Sequence, residues 1–515
     1  MNASPRAAPS HSGEVLVAVD VGTSGARAAA FDLAGGRAGE VRRPFPTRIP
    51  RDEWAEQDAA SWRSAALSAL GALIRQLGTR PVLAIGLTGQ CPSVVPVDGR
   101  GRPLRPGIIY RDNRATAESR VIRDMFGDAE LHARTGQVPT AFYTAAKIAW
   151  IREHEPAVFA AAKLFLQPSE YVALALTGQP TTDWTLAGAT AMFDIGRRSW
   201  DQGLLTWLGL DPARLAVPQP SWTVSGSLRP SLVRRFGLRR AIPVVAGAAD
   251  SLACAVGAGV TAPGPVSEMA GSSSCLNSLV AEPLPDIDIA NYPSPLRPDG
   301  YMTETGINTA GQAVDWIAAL CFGGRQGRAR AADYARLDQE AAAVQPGADG
   351  LLFVPVLGDG ERDDPQLRGI AAGLSLRHGR AAWARATMEG VAFGLRARLE
   401  VLSRGRDSVA ELRVSGQAAS LRSWNQIKAD VLGVPVLRVL GDGTTSGVAM
   451  LAGIGAGVYA GPEQAVAAAS LAAEPFLPDP GRKARYDAWY RRYRAVLASD
   501  LPRTLAPDAS AGNRG

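Results

Sequence analysis

The first residues of this chain whose types and spacing could do chemistry are Asp20 and the turn Gly22-Thr23-Ser24-Gly25. An apolar run at 15–19 leads into Asp20, and a second run at 28–31 leads away beyond Arg27. The pattern predicts a β-hairpin whose turn brings backbone N–H groups and hydroxyls close to a phosphate. Asp20 would then bind a metal ion directly or through water. An ordinary hairpin without a ligand explains the same residues equally well.

A second carboxylate, Asp250, stands in an apolar setting. Residues 244–254 predict a strand, a glycine turn and a helix that begins near Ser251. A carboxylate in such surroundings is costly unless it has a task or a partner. One interpretation is a helix N-cap, a position that Asp favours. The other is a general base that accepts the proton of a substrate hydroxyl as that oxygen attacks the γ-phosphorus of a nucleotide.

Two further segments place polar side chains after strand-like runs. The first contains Gln90, Cys91 and Pro92, and the second contains Tyr110 and Asp112. A polyol needs such donors and acceptors at fixed places together with an aromatic face. Ordinary turns at strand ends, with a surface Arg–Asp pair, are the alternative interpretation.

A second small-residue turn, Gly271-Ser272-Ser273, also lies between two strand-like runs. Placing Gly271 on Gly22 puts Met269 opposite Asp20, so only the first hairpin carries the carboxylate at that position. The pattern suggests two domains of one ancestral topology, although chance similarity of two short turns competes with that reading. Residues 412–420 predict another strand and turn, where Gly416 would let the backbone approach an adenosine closely. A simple connection between a strand and a helix explains this segment equally well.

Length, charge and composition restrict the class of protein. A chain of 515 residues is expected to form two or more domains. Its net charge of +6 comes from scattered basic residues, so nucleic acid is not an expected partner. The four cysteines are widely spaced, form no CxxC pair and are too few for a disulfide scaffold, which favours a reducing cytoplasm. The four histidines have no paired spacing, which argues against a zinc site. An apolar stretch at 241–264 is broken by Pro243, Asp250 and Pro263, so a buried strand–turn–helix is predicted rather than a membrane span.

The elements that must position these residues alternate between strand and helix, which is typical of an α/β fold. We predict strands at 15–19 and 82–87, a helix at Ala59–Leu77 capped by Asp58, helices at 145–152 and 170–176, and an ordered loop region at 204–227.

Taken together, these elements resemble the FGGY family of carbohydrate kinases, within the actin-like ATPase superfamily. The sharpest match is the segment FYTAAKIAWIREH at 142–154. Further matches are WAEQD at 54–58, PSEY at 168–171 and LTG at 176–178. The matching elements occur in the family's order and cover most of the chain.

The resemblance implies two actin-like ATPase (ribonuclease H-like) domains with an interdomain active-site cleft. The N-terminal domain, 14–257, would bind the sugar and carry the first phosphate hairpin and the catalytic Asp, and the C-terminal domain, 258–503, would bind the nucleotide. The tails, 1–13 and 504–515, are expected to be disordered. The implied cofactors are ATP and Mg²⁺, and the implied partner is a small-molecule sugar or polyol. Assembly into a homodimer is a further possibility that the sequence leaves undecided.

The resemblance also assigns roles to individual residues. Asp250 is the implied catalytic base and contacts the substrate, and Asp20 is the implied Mg²⁺ ligand. The implied ATP-binding residues are Gly22, Thr23, Ser24, Arg27, Gly271, Ser272, Ser273, Gly311, Gly416 and Gln417. The implied substrate-binding residues are Gln90, Cys91, Pro92, Tyr110, Asp112 and Asp250.

Two departures from the family pattern bear on the ligands. Gln417 and Ala418 follow Gly416 where the family usually has consecutive glycines. Cys91-Pro92-Ser93 replaces both the Met-His-Gly typical of xylulose kinases and the Arg-Glu of glycerol kinases. We expect a xylulose kinase-like enzyme. The alternatives are a kinase for another sugar, sugar acid or polyol (gluconate, ribulose, glycerol-like) and a non-catalytic sugar-binding protein of the same fold.

Overall fold

The computed structural model describes residues 13–323, 331–358, 360–361, 364, 366–404, 409–469 and 472–504. Apart from Gly13 and Thr504, the tails 1–13 and 504–515 lie outside the described residues, so their disorder stays a prediction. No helix in the described part of the chain is both long enough and apolar enough to cross a membrane.

The helices and strands alternate along the chain as an α/β fold requires. The first strands are β1 (Val15–Val21), β2 (Gly25–Asp32), β3 (Arg37–Pro44), β4 (Glu56–Gln57), β5 (Val82–Gly89), β6 (Val95–Val97), β7 (Gly107–Ile108) and β8 (Leu164–Leu166). They continue with β9 (Thr181–Asp183), β10 (Phe193–Asp194), β11 (Ser199–Trp200), β12 (Val217–Gln219), β13 (Val224–Ser227), β14 (Pro243–Val245), β15 (Pro265–Ala270) and β16 (Ser274–Val280). The last strands are β17 (Ala290–Pro293), β18 (Tyr301–Ile307), β19 (Leu352–Val354), β20 (Ile370–Ala372), β21 (Glu411–Ser415), β22 (Val436–Val439) and β23 (Ala473–Phe476).

The helices follow the same order. The first are α1 (Ala59–Leu77), α2 (Thr116–Phe126), α3 (Asp128–Thr135), α4 (Thr144–His154), α5 (Pro156–Ala161), α6 (Pro168–Thr177), α7 (Trp184–Gly188), α8 (Gln202–Leu208), α9 (Pro230–Phe236) and α10 (Asp250–Gly257). The rest are α11 (Gly311–Phe322), α12 (Ala331–Ala342), α13 (Arg380–Leu402), α14 (Arg422–Leu432), α15 (Gly443–Gly455), α16 (Pro462–Ala468), α17 (Pro480–Ala498) and α18 (Leu501–Thr504). Short 3-10 helices cover Pro212–Arg214, Ala348–Gly350 and Gln417–Ser420.

The described residues fall into two compact units. The first comprises those within Met1–Thr261, Asn291–Tyr301 and Thr444–Leu471. The second comprises those within Ala262–Ala290, Met302–Gly443 and Ala472–Gly515. The chain therefore returns to the first unit twice after its N-terminal half. The predicted boundary between 257 and 258 stays a prediction.

The sheet of the first unit has the strand order β13-β14-β5-β1-β2-β3. β1 pairs antiparallel with β2 and parallel with β5. Both faces of β1 are covered, which explains its almost continuous apolar sequence. Within β1 only Asp20 keeps partial exposure. The predicted helix α1 is confirmed, and the carboxylate of its N-cap, Asp58, accepts the N–H of Ala60 at 2.9 Å.

The sheet of the second unit contains the order β18-β16-β15-β21-β22-β23. β15 pairs antiparallel with β16 and parallel with β21. β1 has the same two kinds of neighbour, so each unit is built around a hairpin with a parallel strand on its other side. The predicted α/β fold with two similar halves is confirmed.

The predicted loop region at 204–227 is partly wrong. The helix α8 covers its beginning, and the short strands β12 and β13 lie further along. Asp201 caps α8 by accepting the N–H of Leu204 at 2.8 Å, and Gly209 ends the helix in the left-handed region. The apolar spacing of the seven residues of α8 was too short to stand out among the neighbouring Trp and Pro residues.

A buried ion pair crosses the core of the second unit. The ammonium of Lys428 on α14 lies 2.7 Å from both carboxylate oxygens of Glu268 on β15. Their side chains are 0% and 1% exposed. The Ser274 hydroxyl donates to the same carboxylate at 2.8 Å, and the ammonium lies 4.5 Å from the centre of the Trp424 ring. The pair thus ties α14 to the strand that enters the Gly271–Ser273 turn.

Removing one partner of this pair should lower the free energy of unfolding far more than replacing both partners by apolar residues. We expect Glu268→Gln and Lys428→Met each to lower the free energy of unfolding by about 3–5 kcal/mol, since each leaves one uncompensated buried group. The double change Glu268→Leu with Lys428→Met should restore stability to within about 1 kcal/mol of the wild type or above it, because a paired apolar replacement avoids charge burial. Urea unfolding measures both.

The matched control is Lys483→Met, because Lys483 forms a partly exposed pair with Asp487 on α17. It should change the unfolding free energy by less than about 1 kcal/mol. Single variants of Glu268 or Lys428 that match this control would contradict the assigned importance of the buried pair.

Candidate functional site

The first hairpin places Asp20 opposite Arg27 in the β1–β2 register. The Arg27 Nη2 donates to the Asp20 carboxylate at 3.0 Å, and both side chains are mostly buried. A Cβ at Gly22 would lie 3.8 Å from one carboxylate oxygen of Asp20, so this glycine leaves the space beside the carboxylate open. A Cβ at Gly25 would lie 2.5 Å from the carbonyl oxygen of Arg43, so this glycine is required for β3 to pack against the turn.

The side chain of Gln57 is hydrogen-bonded to this hairpin and to three neighbouring segments. Its Nε2 donates to the Thr23 carbonyl at 2.8 Å and to the Thr47 hydroxyl at 2.7 Å. Its Oε1 accepts from the Trp62 indole at 2.7 Å and from the Gln90 amide at 2.7 Å. Gln57 is 1% exposed, and these four contacts use every donor and acceptor position of its amide.

The turn after β5 carries the predicted substrate residues Gln90, Cys91 and Pro92. The Gln90 N–H donates to the Val21 carbonyl at 2.9 Å, which joins this turn to the end of β1. The Gln90 side chain is 2% exposed, and its Oε1 has no hydrogen-bond partner among the described residues. Buried carbonyl oxygens of this kind are nearly always paired in proteins, so this atom points to a missing donor.

Asp250 is the first residue of α10, and Ala249 occupies the N-cap position. The interpretation of Asp250 as the N-cap is therefore wrong. Its Oδ1 accepts the N–H of Ser251 at 2.8 Å and lies 4.0 Å from the Cys91 Sγ. The helix dipole favours a carboxylate in this first turn. The structure thus brings the predicted base and the predicted substrate turn into contact.

The chain before Asp250 is fixed by close backbone packing and two threonines. Gly247 has a φ of 80°, and a Cβ there would lie 1.6 Å from the Leu87 carbonyl oxygen. The Thr88 hydroxyl donates to the Ala248 carbonyl at 2.6 Å. The Thr185 hydroxyl accepts the N–H of Ala249 at 2.8 Å. The position of Asp250 is therefore set by β5, which leads into the predicted substrate turn, and by Thr185 on α7.

Tyr110 and Asp112 differ in how much freedom they have to bind a substrate. The Tyr110 hydroxyl accepts from the Thr23 hydroxyl at 3.3 Å, and its ring meets Phe142 edge-on at 6.2 Å. The Asp112 carboxylate is 0% exposed and accepts the Ala55 N–H at 2.5 Å. It also accepts from the Nε and Nη2 of Arg114, at 2.8 and 2.7 Å. A substrate-binding role for Asp112 stays a prediction, and its contacts favour a structural one.

Arg114 brings together two motif segments that lie far apart in the sequence. Besides Asp112 it binds Glu56 at 2.8 Å. Its guanidinium lies 3.6 Å from the centre of the Trp54 ring and 5.0 Å from that of Trp150. Trp54 and Glu56 belong to the WAEQD segment, and Trp150 lies on α4. One buried cation thus joins both segments to the loop after β7 that carries Asp112.

The predicted nucleotide residues of the second unit also come together. Gly311 begins α11, and a Cβ there would lie 2.3 Å from the Gly271 carbonyl oxygen. The Ser272 carbonyl accepts the N–H groups of Ala310 and Gln312 at 2.9 and 3.0 Å. A Cβ at Gly416 would lie 2.5 Å from the Ala270 carbonyl oxygen, and Gly416 has a φ of 99°. Gly311 and Gly416 therefore allow the turn at 271–273, the start of α11 and the turn at 416 to pack backbone to backbone.

Gln417, Ser272 and Ser273 are exposed beside this packed backbone. Their side chains are available to a ligand, whereas the carbonyls of Gly271 and Ser272 are taken by the start of α11. ATP binding by these residues stays a prediction.

The first hairpin offers one carboxylate, Asp20, which suits Mg²⁺ better than a metal ion that needs several protein side chains as ligands. Across residues 13–323 and the later described segments, no three His, Cys, Asp or Glu side chains lie close enough to hold a metal ion. Mg²⁺ usually keeps several waters and uses one or two carboxylates together with substrate phosphates. Asp20, beside the open space at Gly22, meets that requirement.

Comparison with known proteins settles the family. Models of the N-terminal and C-terminal domains of the FGGY family of carbohydrate kinases match residues 15–257 and 267–456. A glycerol kinase from Cereibacter sphaeroides (strain KD131 / KCTC 12085) is 31% identical over 510 residues, which is 94% of this chain and 99% of that protein. The chain belongs to the FGGY family of carbohydrate kinases. It is therefore a phosphotransferase, and the predicted resemblance is confirmed.

Further relatives of this FGGY kinase are xylulose kinases. A xylulose kinase from Bacillus subtilis (strain 168) is 27% identical over 488 residues, covering 93% of this chain and 96% of that protein. The crystal structure of a xylulose kinase from Rhodospirillum rubrum has a TM-score of 0.86 and 30% identity, covering 95% of this chain and 99% of that chain.

Sequence reasoning missed the buried polar residues that hold the segments carrying the candidate site residues in place. Gln57 was visible only as part of a matching segment, and Thr88 and Thr185 carried no distinguishing spacing. Each acts through a partner that is distant in sequence. A buried polar residue inside an otherwise apolar segment was the one available signal, and the single chain does not reveal which such residue is buried.

Replacing Gln57 should destabilise the first unit. We expect Gln57→Met to lower the free energy of unfolding by about 2–4 kcal/mol, because the Trp62 N–H and the Thr23 carbonyl lose their partners and each unpaired buried group costs about 1–3 kcal/mol. Gln76→Met on the exposed end of α1 is the control and should change it by less than about 0.5 kcal/mol. Equal urea midpoints for the two variants would show that the network carries no stability.

Proposed function

We propose that this kinase transfers the γ-phosphoryl group of ATP to a hydroxyl of a xylulose-type ketose. The observation that carries the proposal is the 4.0 Å contact between the Cys91 Sγ and the Asp250 Oδ1. It puts the turn that would bind the sugar directly against a carboxylate that can accept a proton. The buried Oε1 of Gln90, which lacks a partner among the described residues, supports a hydroxyl donor at the same turn.

The residues of the first unit supply the acceptor chemistry. Asp250 accepts the proton of the sugar hydroxyl while that oxygen bonds to the γ-phosphorus and the bond from phosphorus to the departing ADP oxygen breaks. Tyr110 presents an aromatic face beside the sugar, and Gln90 accepts a second hydroxyl. Asp20 would hold Mg²⁺, which supplies charge neutralisation on the phosphates.

Each hairpin is proposed to bind phosphate through its own turn, and the second unit is proposed to bind the rest of the nucleotide. Thr23, Ser24, Ser272 and Ser273 offer hydroxyls at the turns. Gly311 and Gly416 keep the backbone compact where the nucleotide would approach. The ion pair with Asp20 keeps the Arg27 side chain mostly buried at the first hairpin, which supports its proposed role in binding a phosphate there.

Xylulose is favoured over other acceptors because xylulose kinases are among the relatives that span nearly the whole chain. The 31% identical glycerol kinase favours a polyol as the second candidate. Retention of both Asp20 and Asp250 argues against a non-catalytic sugar-binding protein.

Release of ADP from ATP and Mg²⁺ with a panel of D-xylulose, D-ribulose, D-gluconate and glycerol tests the proposal. We expect D-xylulose to give the highest kcat/KM. Asp250→Asn should lower kcat by about 10²–10⁴-fold because the general base is lost. The control Asp299→Asn changes an exposed carboxylate and should leave kcat within about twofold of the wild type.

Each other outcome has a defined meaning. A higher kcat/KM for glycerol or gluconate would overturn the choice of xylulose. A sugar-dependent shift of the thermal unfolding midpoint without any ADP would show a binding protein instead. Near-normal turnover by Asp250→Asn would remove Asp250 from the role of base.

A bound sugar should also shield Cys91. The thiol is partly exposed and lies beside Asp250, so a sugar held at this turn covers it. We expect D-xylulose to slow alkylation of Cys91 by iodoacetamide at least about fivefold, since a bound ligand blocks access to the reactive thiol. Peptide mass spectrometry reads each cysteine separately. Cys321, also partly exposed and without a proposed role, should react at an unchanged rate. Equal rates at Cys91 with and without sugar would place the sugar elsewhere.

A further inference from the structure

Lys147 is a buried lysine that the proposed chemistry does not use. It lies in the first turn of α4 and is 0% exposed. Its Nζ donates to the Pro92 carbonyl at 3.3 Å and also to the Phe142 carbonyl. These carbonyls belong to two segments that are distant in sequence: the turn after β5 and the chain that enters α4.

The contact to Pro92 completes the attachment of that turn. The start of the turn is held by Gln90, which bonds to the Val21 carbonyl and to Gln57. Its centre lies against Asp250 through Cys91. Its far end is the Pro92 carbonyl, which Lys147 binds. The turn is thus fixed at both ends, with the proposed base in the middle.

The second contact reaches the aromatic side of the proposed sugar site. Lys147 binds the Phe142 carbonyl, and the Phe142 ring meets Tyr110 edge-on. The ammonium also lies 5.8 Å from the centre of the Phe142 ring. One side chain therefore holds the polar turn and the aromatic wall at a fixed separation.

We propose that Lys147 is a positioning residue that fixes the turn at 90–93 against Asp250 and Tyr110, and so determines how tightly the sugar binds. This inference rests on the proposed function, because it takes that turn as the sugar site. It concerns the sugar alone and assigns Lys147 no contact with the phosphates.

The charge of Lys147 should make the sugar affinity depend on pH. Burial lowers the pKa of Lys147 to about 7, and the charged or titratable groups facing it are Asp112, Arg114 and Cys91. Below that pH the ammonium makes charge-assisted hydrogen bonds to both carbonyls, and above it the neutral amine makes weaker ones. The hold on the turn is therefore strong at low pH and is lost as the pH rises through 7.

The test compares Lys147→Met with Lys163→Met, which changes an exposed lysine, at pH 6–9. For Lys147→Met we expect kcat/KM for D-xylulose to fall about 10–100-fold and KM for ATP to stay within about twofold, since only hydrogen bonds under the sugar turn are lost. The wild type and Lys163→Met should show a sugar KM that rises above pH 7, whereas Lys147→Met should show a flat profile. Equal changes in both KM values, or a pH profile that survives in Lys147→Met, would overturn the proposal.

A measurement without sugar separates this inference from the proposed function. Amide hydrogen exchange of a peptide covering residues 86–95 should be faster in Lys147→Met than in Lys163→Met, because the far end of the turn is released. Unchanged exchange would refute the positioning role even if xylulose is phosphorylated. Faster exchange together with no phosphorylation of any sugar in the panel would uphold the hold on the turn and refute the proposed function instead.

Discussion

The first unit depends on the requirement that the buried amide of Gln57 be fully paired. An amide with two donors and two acceptor positions can join four groups only when all four lie at hydrogen-bond distance. Here they are an indole, a hydroxyl, a backbone carbonyl and a second amide, contributed by four separate segments. Moving any one of them would leave a buried polar group unpaired. The hairpin at Asp20 and the turn at Gln90 therefore cannot shift independently, and the spacing between proposed phosphate and sugar contacts follows from that.

The two units share a topology but place their carboxylates on opposite faces of equivalent strands. Asp20 stands at the position that Met269 occupies in the second hairpin, and the acidic residue of that hairpin is Glu268, one position earlier. Because successive side chains on a strand point to opposite faces, this single step turns the carboxylate from the partly exposed face into the core. Asp20 keeps partial exposure beside the turn, whereas Glu268 is buried and paired with Lys428. The same backbone motif thus carries a partly exposed carboxylate in one unit and a buried ion pair in the other.

How much the sequence could predict follows from the range of the interactions. Both hairpins, α1 with its Asp58 cap and the family itself rest on local patterns or ordered motifs, and these were correct. The role of Asp112 was less accessible, because its partners Ala55 and Arg114 become visible only when the strands are assembled. Lys147 stood inside the most recognisable motif of the chain. Nothing local indicated that its ammonium would reach Pro92, 55 residues away.

The absence of a side chain at Gly247 limits how the range of acceptor substrates can be changed by mutation. The turn before Asp250 lies so close to the Leu87 carbonyl that even one Cβ has no room. Insertions or deletions in either segment would therefore displace Asp250, the proposed base, together with the turn after β5. If that turn binds the sugar as proposed, the acceptor range is best altered at Cys91 and Tyr110, with the backbone from Leu87 to Gln90 kept as it is.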